Sequence, residues 1–175
     1  MNDAVQNENT DQRALRLWLT AGLSIPEVIQ LHGDAGYLLN NMIAKYTLAA
    51  DTYAISTGAL AEFRRQGVDL AETYSRRRFY GKKGGFIYEH AVPAGVVREW
   101  LLSAKTTPER VNLALRSSAP VAVLLRSEDA QLRAVGLNAK MPEGWQIGDN
   151  PLARYDAAGI GLSDQVLRVR GAICR

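Results

Sequence analysis

Residues 76–93 read RRRFYGKKGGFIYEHAVP, and the reading of this stretch decides the fold. A run of three arginines enters a glycine-rich turn, Gly81–Gly85, and a short aromatic segment, Phe86-Ile87-Tyr88, leaves it. Aromatic and β-branched residues bounded by glycines read as a strand. Pro93 stops that strand, because it has no N–H to give to a ladder. Upstream of the turn, apolar residues recur at intervals of three and four. Downstream, short apolar runs alternate with helix-start signals. The expected class is therefore α+β, a helical N-terminal half followed by a mixed half with a small β-sheet and short helices.

Working back towards the N-terminus, residues 1–9 are polar and rich in Asn, which predicts a disordered lead-in. Residues 10–175 then form one domain, helical over 10–80 and mixed over 81–175. Thr10 is placed to cap a first helix, and Ser24-Ile25-Pro26-Glu27 to open a second. From Asp34 to Gln66 the residues Leu38, Leu39, Met42, Ile43, Tyr46, Tyr53, Leu60 and Phe63 keep helical spacing. This predicts one long helix, with Gly58 as a bend and Gly67 as its stop. Asp69 opens a further short helix.

Working forward, Val96 to Leu102 reads as helix, and Thr107-Pro108-Glu109 as the capped start of another. Pro120–Leu125 is apolar throughout and predicts a buried strand. A helix over 127–135, a loop over 138–148, a short helix after Asn150-Pro151 and a last strand over 165–170 complete the reading. Trp145 and Tyr155 are expected to anchor C-terminal turns on the core, and Arg154 to pair with an acid.

Composition narrows the setting. The chain has 175 residues, 47% hydrophobic and 22% charged, with a net charge of +3. The length fits one domain with a core of its own. One cysteine, Cys174, cannot close an internal disulfide, which favours a reducing, cytoplasmic setting. The N-terminal residues lack the apolar core of a signal peptide. No apolar run approaches the roughly 18 residues of a membrane span, so no membrane association is expected. Charge is uneven. Between residues 64 and 83, Arg64, Arg65, Arg76, Arg77, Arg78, Lys82 and Lys83 stand against Asp69 and Glu72 alone. Such a patch attracts phosphate or an acidic protein surface. Phe79, Tyr80 and Tyr88 interleave rings with the cations, which suits stacking on bases. Arg76, Arg77, Arg78, Lys82 and Lys83 are therefore the candidate nucleic-acid contacts, with an acidic protein as the other partner class. The glycines of the turn match neither the P-loop nor the dinucleotide-binding spacing.

Glu89-His90 is the sharpest chemical candidate: a carboxylate and a neutral-range imidazole at a strand end. Adjacent strand residues face opposite ways, so the pair shares a site only where the backbone turns. The alternative has Glu89 paired with an arginine and His90 as a hydrogen-bonded structural histidine.

Glu89, His90 and Pro93 together resemble the motif of the HNH, or ββα-metal, nucleases, over residues 89–93. That group sets an acidic residue, then His, at a strand end, with Pro after two further residues. The resemblance implies a metal-dependent endonuclease in which His90 is the general base and Glu89 a catalytic residue and metal ligand. Mg²⁺ or Mn²⁺ would be the cofactor, and the basic flank would hold the nucleic-acid backbone. Beside it stands a non-enzymatic reading, a regulatory or inhibitory protein whose basic patch grips nucleic acid or an acidic partner.

Overall fold

The computed structural model describes residues 8–81 and 85–171, with the backbone alone described at 32–35. Among these residues eight helices surround one five-stranded sheet, an α+β architecture. In chain order the elements are α1 (Thr10–Gly22), α2 (Pro26–Ala35), α3 (Tyr37–Leu48), β1 (Thr52–Ser56), α4 (Thr57–Arg65), β2 (Thr73–Ser75), β3 (Phe86–His90), α5 (Ala94–Leu102), α6 (Pro108–Ser118), β4 (Val121–Leu125), α7 (Arg126–Ala134), α8 (Ala153–Ala157) and β5 (Leu162–Arg170). None of these helices is long and apolar enough to cross a membrane.

The sheet order is β2-β5-β1-β4-β3. Its centre overturns the long helix expected over 34–66. That segment divides into α3, the strand β1 and α4, and β1 lies between β5 and β4. The competing periods explain the difference. Tyr53 continues the spacing of three and four from the residues before it, while Tyr53 and Ile55, two apart, alternate as in a strand, and so short a run does not choose between the periods. Pairing decides: β1 runs parallel to β4 and antiparallel to β5, which satisfies both of its edges. Likewise Asp69–Phe79 holds the edge strand β2, not a helix, parallel to the end of β5. The helical N-terminal part therefore supplies two of the five strands.

The strand expected at Pro120–Leu125 is present as β4, buried at Val121, Ala122, Val123 and Leu124. Thr107 caps α6, its side chain accepting from the Arg110 N–H, with Pro108 in the first turn. Asn9, not Thr10, caps α1, accepting from the Gln12 N–H while Gln12 returns a bond to the Asn9 backbone. Of the expected lead-in, residues 1–7 lie outside the described residues. Glu8 is held against Arg16.

Three apolar clusters pack around this frame. On one sheet face, Tyr53, Ile55, Tyr88, Val123, Leu167 and Val169 meet Phe63 of α4, and Phe63 stacks on Phe86 at 4.3 Å between ring centres. On the other, Ala122 and Leu124 meet Leu132 of α7 and Tyr155 of α8. The third lies among α1, α3, α5 and α6, and Met141 and Trp145 of the 138–151 loop pack against it. Gly58 is needed where α4 passes α7, since a Cβ there would lie 2.7 Å from the Glu128 carboxylate.

Candidate functional site

β3 pairs with β4 in unbroken register to its last residue, Glu89 with Ala122 and His90 with Val121. Strand alternation therefore holds to the end, and Glu89 and His90 leave the backbone in opposite directions.

Glu89 meets Arg154 of α8, whose Nη2 donates to its Oε1 at 2.5 Å. Arg154 is fully buried. The same guanidinium donates to the carbonyls of Leu137 at 2.9 Å, Asn138 at 3.3 Å and His90. The Tyr155 hydroxyl adds a bond to the Glu89 carbonyl at 3.3 Å. Burial pushes the Glu89 carboxyl above its ordinary value, and Arg154 pulls it back. The loop over 138–151 is thus tied by its first residues to α8 and to the end of β3. One buried cation does this, and α8 presents it because Arg154 and Tyr155 stand on its inward side.

On the opposite side, His90 Nδ1 lies 2.6 Å from the hydroxyl of Thr47, on the last turn of α3. Thr47 also donates to the Ala44 carbonyl at 3.0 Å. A hydroxyl carries one proton, so when Thr47 gives it to the Ala44 carbonyl the imidazole is the donor through Nδ1. Burial, aided by the positive Arg154, lowers the His90 pKa to about 4, and the ring is neutral at pH 7. Of the two arrangements open to Glu89 and His90, the observed one is an arginine-paired carboxylate and a hydrogen-bonded histidine. They are neighbours in sequence and are not brought to one site.

This donor set does not fit a divalent metal. Glu89, the expected ligand, already faces a guanidinium that would repel a second cation. Among the described residues no group of three or more His, Cys, Asp or Glu side chains is placed to hold one.

The three consecutive arginines part company. Arg76 is buried, 5% exposed. Its guanidinium donates to the carbonyls of Ala49 at 2.6 Å, Ala50 at 2.8 Å and Gly171, with Asp51 at 3.4 Å. It joins the approach to β1 to the end of β5, so this candidate nucleic-acid contact is buried with its guanidinium occupied by backbone carbonyls. Arg77 and Arg78 are exposed. Arg78 lies 4.7 Å from the centre of the Tyr74 ring. Lys82 and Lys83 lie outside the described residues.

Two further exposed cations stand on β5. Leu167 and Val169 of β5 are buried, so Arg168 and Arg170 emerge from the opposite face of the same strand, both exposed. β2 lies beside them, with Thr73 opposite Arg168 and Ser75 opposite Arg170. The exposed Arg77 and Arg78 follow β2 after the buried Arg76. Arg64 and Arg168 also line an open groove of about 500 Å³, together with Asp69 and Asp164. The available signal was the alternation in Leu167-Arg168-Val169-Arg170, which puts both cations on one face. Comparison with known protein families, with curated proteins and with solved structures returns no match for this chain.

Proposed function

We propose that the protein is a nucleic-acid-binding protein that grips the sugar–phosphate backbone on the β2–β5 face and does not cut it. The observation that carries this reading is the shared face of Arg168 and Arg170, set beside the hydroxyls of Thr73 and Ser75 and followed by Arg77 and Arg78. Cations and hydroxyls on a firm sheet are the groups that contact phosphate oxygens. The geometry at Glu89 and His90 favours binding over hydrolysis, because carboxylate and imidazole face apart and the carboxylate is held by Arg154. The reading assigns the protein to the cytoplasm, the compartment expected of a chain with one cysteine.

Fluorescence anisotropy with labelled single- and double-stranded DNA and RNA, across a salt series, tests it. Binding should weaken with salt. Arg168→Ala/Arg170→Ala should lower the log–log salt slope by about 2 on a duplex, at about 0.9 per phosphate contact. Absence of binding even at about 50 mM salt would reject the reading. Capture of polyglutamate in place of nucleic acid would replace it with the acidic-protein partner. Incubation with plasmid and RNA in Mg²⁺ or Mn²⁺ separates the nuclease reading. Cleavage by the wild type that is lost in a folded His90→Ala variant would establish the enzyme instead.

A further inference from the structure

The groove bordered by Arg64 and Arg168 lies beside the first half of β5, before β2 joins it. Val169 donates its N–H to the Asp51 carbonyl, and the Arg170 carbonyl accepts from the Arg76 N–H. Odd-numbered residues in this part of β5 therefore turn their backbone groups towards β1, and even-numbered ones towards β2. Val166 is even-numbered, but β2 reaches back only to Thr73, opposite Arg168. The chain before Thr73 turns away, with the Glu72 N–H on the Asp69 carbonyl. Among the described residues no backbone hydrogen bond reaches the N–H or C=O of Val166 from that side. A strand edge with an open donor and acceptor is a template for a further partner.

The walls of the groove add to this edge. Val68, Leu70 and the 41% exposed Val166 give it apolar surface. Its volume of about 500 Å³ lies in the range of small-ligand sites. The two carboxylates differ. Asp69 Oδ1 accepts from the Ala71 N–H at 2.9 Å, which holds the turn. Asp164 receives a long bond, 3.4 Å, from the neighbouring Ser163 hydroxyl and is the freer acceptor.

We propose that this groove takes one unpaired guanine of a bound single strand. The inference rests on the nucleic-acid reading above and narrows it from backbone to strand type and base. Arg168 belongs both to the groove and to the β2–β5 face, so a strand held there by its phosphates runs past the groove. A carboxylate only accepts, and of the four bases guanine alone sets two adjacent N–H donors on its pairing edge. Asp164 accepts both, and the Val166 N–H donates to the neighbouring O6. Uracil and thymine flank a single N–H with two carbonyls, which would set oxygen against oxygen at Asp164. In a duplex the guanine edge is taken up by cytosine, so the groove selects single strands. An open strand edge also suits an extended peptide. Continuity with the exposed cations of β5 favours nucleic acid.

Fluorescence anisotropy with labelled strands of about nine thymidines, the central base replaced in turn by guanine, adenine or cytosine, tests this. The guanine strand should bind about tenfold tighter than the all-thymine strand. Annealing it to its complement should abolish that advantage. Asp164→Asn, at an exposed position, should bring the guanine strand down to the level of the all-thymine strand, with an unchanged circular dichroism spectrum.

Equal affinity for the four strands, with salt-sensitive binding retained, would overturn this inference and leave the backbone-binding reading in place. A guanine preference that survives Asp164→Asn would overturn the assignment to the groove. Binding of none of the strands would remove both readings. Capture of a labelled polyglutamate peptide in their place would give the surface to an acidic protein.

Discussion

The arginines of this protein fall into two regions with opposite duties. Arg76 and Arg154 lie inside, 5% and 0% exposed, and their guanidinium groups are directed mainly at backbone carbonyls. Arg77, Arg78, Arg168 and Arg170 lie outside along β2 and β5. Inside, an arginine donates to carbonyls that lie beyond the ends of the strands, and its removal leaves those acceptors without donors. Outside, Arg168 makes one exposed bond to the Ala71 carbonyl at 3.2 Å and Arg78 lies over the Tyr74 ring, contacts that water can replace. Residue type does not distinguish the two; burial does.

The sharpest way to break this comparison is Arg154→Ala. It removes the partner of Glu89 and the donor to the Leu137 and Asn138 carbonyls, so urea denaturation should show a loss of about 3–5 kcal/mol. A loss below about 1 kcal/mol, the value of a surface pair, would place Arg154 with the exterior group. Arg76→Met comes next. The Ala49 and Ala50 carbonyls lose their guanidinium while the stem is kept, and a loss of about 2–3 kcal/mol is expected. An unchanged denaturation midpoint would show that the junction of β1 and β5 holds without it.

His90 sharpens the comparison by pH. Its folded pKa, about 4, lies below the ordinary value of 6.5. The unfolded chain therefore binds more protons between these values. The histidine's favourable contribution is full above pH 6.5 and is lost as pH falls towards 4. The slope should remove up to about 3 kcal/mol over that window. His90→Gln should flatten this component, and a slope that persists unchanged would assign the acid sensitivity to other groups.

The smallest effect on stability belongs to the exterior: Arg168→Ala/Arg170→Ala should stay within about 0.5 kcal/mol of the wild type. The same variant should lose salt-sensitive nucleic-acid affinity. A large stability loss there would move these arginines to the interior group.

Much of the frame was legible along the chain. The unbroken apolar run Val121–Leu124 can only be a buried element, and its brevity makes it a strand. Thr107-Pro108 announces a helix through its own chemistry. β1 was not legible, because Tyr53 also continues the helical spacing of the residues before it, and only the pairing with β4 and β5 makes the segment a strand. The site divides in the same way. The clustering of Arg76 to Lys83 is visible in sequence, but which of them face solvent is not. The partnership of Glu89 with Arg154 spans 65 residues, and no local pattern records it.

The sequence by itself determined the α+β class, the strands at Phe86–His90 and Val121–Leu125, and the excess of cations before residue 84. Those properties follow from local backbone preference and composition. Only the tertiary structure decided which arginines are buried, that Glu89 and His90 face apart, and that Arg168 and Arg170 are exposed on one face of β5. The physical reason is that burial and hydrogen-bond partnership are relations between distant segments. Two identical guanidinium groups acquire different tasks from what the fold places around them.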